Sequence, residues 1–169
     1  MNRYISAVTA IIILVAAISC LDDETDKVVN YVNIGDRVPE FVAEGVNGGS
    51  FDSKSFSGKR SLLVLFGTYC PDCHRELPVI NRIYDSVKDN PDILIVGISR
   101  EQERSVVQEY WESEGFSFPA YLDSDRSIFN KFANSTIPRI YIIDENGTIE
   151  WMAIEKLEIP ETELLAKLL

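Results

Sequence analysis

The chain has 169 residues, 46% of them hydrophobic and 25% charged, with a formal net charge of −11. That length suits one domain with a short appendage, and the composition is ordinary for a folded globular protein. The acidic excess argues against nucleic acid as a partner, because binding a phosphate backbone needs clustered Lys and Arg.

The N-terminus reads as an address. Residues 1–19 carry one charge, Arg3, ahead of an uncharged run from Tyr4 to Ser19. A short basic region, an apolar stretch and small residues at its end make a secretory signal. The uncharged run continues to Leu21, so an uncleaved membrane span at the lower length limit stays open. Ala16, Ala17, Ser19 and Cys20 resemble a bacterial lipobox, although Ala17 stands where Leu is usual. That resemblance implies a lipoprotein signal peptide over 1–19 and lipid attached to Cys20, which would anchor the chain to a membrane. An acidic tether is then expected over 20–33, opening with Asp22-Asp23-Glu24-Thr25-Asp26. The acidic run also resembles the surface-export signal of some bacterial lipoproteins, with a solvated spacer as the plainer reading. Either way the domain is expected to work in the cell envelope, outside the cytoplasm, where dithiols meet disulfide substrates.

One domain is expected over 34–169. Val38 to Ala43 reads as an edge strand, and the turn from Gly45 to Ser50 leads through Phe51-Asp52 into a loop ending at Gly58-Lys59. The apolar run Ser61 to Phe66 suits a central strand buried on both faces. A helix follows over Pro71 to Lys88, with Leu77, Ile80, Ile83, Tyr84 and Val87 recurring at three- and four-residue steps as a buried stripe. Pro71 fits the first helical turn and Pro78 is expected to kink the helix. Ile93 to Ile98 reads as a second buried strand, and strand, helix and strand imply a right-handed parallel crossover. A second helix is expected over Gln102 to Glu114, with Val106, Val107, Tyr110 and Trp111 inward and Gly115 closing it. A strand near Ala120 to Leu122 and a helix over Ser127 to Ala133 come next. Arg139 to Ile143 and Thr148 to Ala153 flank Glu145-Asn146-Gly147, a hairpin signal. A last helix covers Glu161 to Leu169. The pattern is that of an α/β fold with a mixed central sheet flanked by helices, an N-terminal hairpin and a central insertion.

The chemistry sits in two of the three cysteines. If Cys20 is consumed by lipidation, Cys70 and Cys73 remain as a C-x-x-C where the first central strand meets its helix. Three-residue spacing on a helix brings both sulfurs to one side. Cys70 falls at the helix N-terminus, where unpaired N–H groups and the helix dipole favour a thiolate, so it is the expected nucleophile. Cys73, one turn further, would resolve the mixed disulfide. Other readings of the pair remain open: half a zinc site, which needs further ligands and has only His74 nearby; a two-coordinate Cu(I) site; or a structural staple, which a loop this short rewards little.

At this point the residues resemble the TlpA/ResA-like branch of the thioredoxin superfamily, roughly from Val38 to Ile154. Cys70-Pro71-Asp72-Cys73-His74-Arg75-Glu76-Leu77-Pro78 fits that branch's C-x-x-C-x-x-E-x-P signature, and Thr136-Ile137-Pro138 through Asp144, with Gly147 in place, fits its second segment. The resemblance implies a thioredoxin-like fold and a thiol–disulfide oxidoreductase of the reductase type. Its partners would be disulfide-containing proteins and a membrane thiol-electron donor, with no cofactor and no metal. Pro138 would be a cis-proline that exposes the backbone of Ile137 to a substrate strand, with Tyr69 as the aromatic wall where Trp is usual. Glu76 would tune or deprotonate the dithiol. Val64 holds the place of thioredoxin's own buried Asp. Asp72, unusual between the sulfurs, is expected to oppose a thiolate at Cys70 and to make the pair more reducing.

Overall fold

The computed structural model describes residues 27–169, so Cys20 and the segment read as a signal peptide lie outside the described residues. The chain opens with a hairpin of β1 (Val42–Gly45) and β2 (Ser50–Asp52), then a 3-10 turn over Ser53–Phe56. There follow β3 (Arg60–Phe66), α1 (Pro71–Val87), β4 (Ile93–Arg100), α2 (Arg104–Glu114) and β5 (Ala120–Asp123). The hairpin of β6 (Arg139–Ile143) and β7 (Ile149–Ile154) and then α3 (Glu161–Leu168) complete it. The seven strands form one mixed sheet in the order β2-β1-β5-β4-β3-β6-β7. Within it β3, β4 and β5 run parallel, and β6, β7 and the first hairpin are antiparallel to their neighbours.

The near-continuous apolar runs of β3 and β6 are explained by position. Leu62 to Phe66 and Ile140 to Ile143 are buried on both faces. The α1 stripe packs Leu77, Ile80, Ile83 and Val87 onto the sheet, with Tyr84 half-buried at its margin, and the helix runs on through Pro78.

Four expectations are corrected. The first strand begins at Val42 and is internal, paired to β2 on one side and β5 on the other. Residues ahead of it spend their N–H groups elsewhere: Val38 donates to the Gly147 carbonyl and Phe41 to Ser53 Oγ. Val106 is exposed, because α2 buries only Val107 and Trp111, one turn apart. The helix expected over 127–133 is only a 3-10 turn, Phe129–Lys131. The buried Asp123 carboxylate accepts the N–H groups of Ile128 (2.9 Å) and Phe129 (2.7 Å), Lys131 and Phe132 close i→i−3 bonds, and Ala133 then leaves the turn to pair with Asn30. Finally, residues 27–33 of the expected tether are docked on the domain. Asn30 pairs with Ala133, Tyr31 N donates to the Phe132 carbonyl at 2.8 Å, and Val32 is buried.

Candidate active site

The parallel strands β3 and β4 lie inside the sheet, and at their carboxyl ends the loop Gly67-Thr68-Tyr69 carries the chain from β3 into α1. Cys70 is the N-cap of α1, in extended backbone, and Pro71 begins the helix. Both cysteines are free thiols. Cys70 keeps 8% of its surface open, whereas Cys73 is wholly buried.

The loop before β6 closes over the first sulfur. The Ile137-Pro138 peptide bond is cis, and the Cys70 thiol donates to the Ile137 carbonyl at 3.4 Å. Gly67 permits this approach. A Cβ there would lie 2.8 Å from the Tyr69 ring and 2.9 Å from the Ile137 side chain. Ile137 and Pro138 are themselves buried, so Tyr69, more than half exposed, forms the open rim of the site. Arg100 holds that rim: its Nη2 donates to the Tyr69 hydroxyl at 2.6 Å while its guanidinium lies 4.8 Å from the centre of the Phe129 ring.

The second sulfur is in a different environment. Burial pushes the Cys73 thiol far above its ordinary value, with the neighbouring Cys70 and the charge of Asp72 adding to the effect and the backbone of Gly67 opposing it. Glu76, one turn further along α1, is also buried. Desolvation raises its carboxyl above the ordinary carboxylate value, against the Leu157 backbone N–H and the Arg75 charge, and Asp72 raises it further. The side chain of Asp72 itself pairs with Arg75.

Thr68 is gripped from both sides. Its N–H donates to Gln102 Oε1 at 2.7 Å, and Gln102 Nε2 donates to its hydroxyl at 2.5 Å. Gln102 is steadied by Ser99, whose hydroxyl donates to the same Oε1 at 3.1 Å. On the other side, His74 Nε2 lies 2.6 Å from the Thr68 carbonyl, and its ring packs at a tilt against Tyr110, with centres 5.1 Å apart. The imidazole can donate here as the neutral Nε2–H tautomer or as the cation. His74 thus sits on the surface, as its place beside Cys73 in sequence implies, and it also fastens the strand-to-helix loop.

Of the residues singled out from sequence, Cys70, Cys73, Tyr69, Ile137 and Pro138 come together here, Glu76 lies one turn away, and Cys20 is outside the described residues. Sequence reasoning missed Gln102 and Arg139. Arg139 had a signal, since it interrupts an otherwise apolar strand directly after Pro138, and it is fully buried. Gln102 had none, because a glutamine at a helix entry is unremarkable until its side chain is seen turned inward. Among the described residues, no group of three or more His, Cys, Asp or Glu is placed to hold a metal ion, and no helix is long and apolar enough to cross a membrane.

A mixed sheet with a dithiol at the head of α1 and a cis-proline loop against it defines the thioredoxin-like class of folds. Solved structures agree on the fold. A proposed protein disulfide isomerase from Bacteroides thetaiotaomicron superposes with a TM-score of 0.77 at 28% identity, over 82% of this chain and 89% of that one. A secreted Mycobacterium tuberculosis disulfide oxidoreductase gives 0.65 at 22%, over 76% and 93%. Residues 33–168 match the Redoxin family, and the chain belongs to it. The thiol–disulfide oxidoreductase ResA of Halalkalibacterium halodurans is 29% identical over 115 residues, 68% of this chain and 65% of that protein. ResA of Bacillus subtilis is 28% identical over 118 residues, 70% of this chain and again 65% of the relative. The chain therefore spans just under two thirds of the length of these two relatives.

Proposed function

We propose that the protein is a disulfide reductase of the cell envelope, tethered by lipid on Cys20, that returns protein disulfides to dithiols. The observation that carries this reading is the asymmetry of the two sulfurs. One lies at a helix N-cap, 3.4 Å from the Ile137 carbonyl beside a cis-proline. The other is buried one turn along and held protonated.

The steps follow from that asymmetry. Cys70, as thiolate, attacks one sulfur of a substrate disulfide where the unpaired N–H groups of the first helical turn meet negative charge. The substrate S–S bond breaks, one substrate thiolate leaves, and a mixed disulfide joins Cys70 to the other. Cys73 must then lose its proton, and the buried Glu76, ionised, is the proposed acceptor. The Cys73 thiolate attacks the Cys70 sulfur and releases the second substrate thiolate. Two electrons have passed to the substrate, and the protein holds a Cys70–Cys73 disulfide. A membrane dithiol donor reverses the change and supplies the same two electrons. Substrate enters past Tyr69 and lies along the Ile137-Pro138 backbone, in the manner of an added strand.

Direction is tested by potential. The reductase reading expects the dithiol to poise near thioredoxin's value of about −270 mV, and a potential near about −120 mV would make the protein an oxidant instead. Turnover of insulin disulfides should be lost in Cys70→Ser. Tight one-to-one Cu(I) binding by the reduced chain, without disulfide turnover, would replace the enzyme with the copper-binding reading.

A further inference from the structure

We propose that residues 27–32 form a strap that positions the substrate-facing loop through Arg139, which makes Asn30 and Arg139 positioning residues for disulfide exchange. The proposal rests on the reading of residues 135–138 as the loop that meets substrate.

The strap is bonded directly to the segment that leads into that loop. Val29 N donates to Asn134 Oδ1 at 2.8 Å, Asn134 N returns a bond to the Val29 carbonyl at 3.1 Å, and Asn134 Nδ2 donates to the Lys27 carbonyl at 2.8 Å. Asn30 sits opposite Ala133, and Tyr31 N reaches the Phe132 carbonyl. These bonds give the segment ahead of the loop a strand-like support.

Arg139 carries the connection inward. Its side chain is fully buried, yet among the described residues no carboxylate pairs with it. Its Nε donates to the carbonyls of Thr136 (3.0 Å) and Ser135 (3.2 Å), its Nη2 to Ser135 (2.8 Å), and its Nη1 to Asn30 Oδ1 (2.8 Å). Neutral oxygens and the face of the Phe129 ring, 5.9 Å away, answer this buried charge, so each oxygen counts. A charged donor left without its acceptor costs more than a neutral one. Asn30 supplies the only side-chain oxygen of the set and belongs to the strap.

The bonded carbonyls flank a position that needs holding. Thr136 has a φ of 71°, in the left-handed region that a β-branched residue adopts at a cost. Arg139 clamps the carbonyls of both Ser135 and Thr136, and the next carbonyl, that of Ile137, is the one that accepts from Cys70. A single bonded path therefore runs from Asn30 through the guanidinium and the loop to the reacting sulfur. Nothing in disulfide chemistry itself requires it. Its effect falls on substrates that lie along the loop and spares small disulfides that need only the sulfur.

The test uses the full-length chain in detergent with two substrates, insulin and the small aromatic disulfide DTNB. Asn30→Ala should raise KM for insulin about tenfold with little change in kcat, the effect of losing one hydrogen bond to a charged group, and should change kcat/KM for DTNB less than about twofold. Asn30→Asp, which keeps an acceptor oxygen, should return the KM for insulin to within about twofold of wild type. Ser53→Ala removes a hydrogen bond far from the site, from Phe41 N, and should leave both substrates unaffected. If Asn30→Ala slows both substrates equally, or neither, the strap has no positioning role. A wild-type chain inactive on both substrates overturns the reductase reading beneath it, and this role with it.

Discussion

The region under the N-terminal hairpin and the end of the sheet that carries the dithiol are built by different forces. Under the hairpin, Phe41, Phe51, Phe56 and Phe132 pack with ring centres 5.1 to 6.4 Å apart, through side chains that carry no hydrogen-bonding group. Such contacts set volume and are worth much in stability, but they tolerate small shifts. At the site the same chain buries Gln102, Glu76 and Arg139, each held by or exposed to directional bonds and charge. Those bonds fix atoms within fractions of an ångström and add less to stability. The difference teaches that most of the folding free energy and most of the reactivity reside in separate places.

The largest effect that sharpens this contrast comes from Phe56, which is almost wholly buried. Phe56→Ala should cost about 3–5 kcal/mol in denaturant unfolding. The alkylation rate of Cys70 in the folded protein should stay within about twofold of wild type, since no bond to the site is touched. A large change in that rate would break the separation. Gln102→Ala should show the opposite balance. Loss of its three side-chain bonds should cost only about 1–3 kcal/mol, yet slow exchange with a protein disulfide about tenfold by freeing Thr68 and the loop ahead of Cys70.

Much of this layout was legible in the sequence, and the reason is periodicity. The run Ser61 to Phe66, the stripe of Leu77, Ile80, Ile83 and Val87, and the two apolar segments around Asn146-Gly147 each repeat with the spacing of one element, and each is found in place. The apolar residues of α2 misled because Val106, Val107, Tyr110 and Trp111 cover more of a helix face than the sheet can accept. The segment 127–133 misled because its end is taken by a distant partner: Ala133 pairs with Asn30 and the Phe132 carbonyl accepts from Tyr31 N. At the site, a C-x-x-C and a following proline announce themselves by spacing. Gln102 and Asn30 do not, since their partners Thr68 and Arg139 lie 34 and 109 positions away.

A smaller effect probes the buried carboxyl. Burial raises Glu76 above its ordinary value of 4.5. A carboxyl that binds its proton more tightly when folded favours the native state fully below its unfolded pKa, and that support is lost as pH rises through the folded value. Glu76→Gln has no such loss. Its melting temperature relative to wild type should therefore climb from about pH 4 to about pH 8, while release of the mixed disulfide at neutral pH slows by about ten- to a hundredfold. A difference in melting temperature that stays flat with pH would place Glu76 in solvent and remove it from the proton transfer.

The central claim is that the two sulfurs are unequal, one that attacks and one that waits. Competitive alkylation of the reduced protein at neutral pH, with each cysteine read separately by peptide mass, tests it most directly. The account expects Cys70 to react first and Cys73 to stay unmodified until the protein unfolds. Equal rates at both sulfurs, or a faster Cys73, would contradict it.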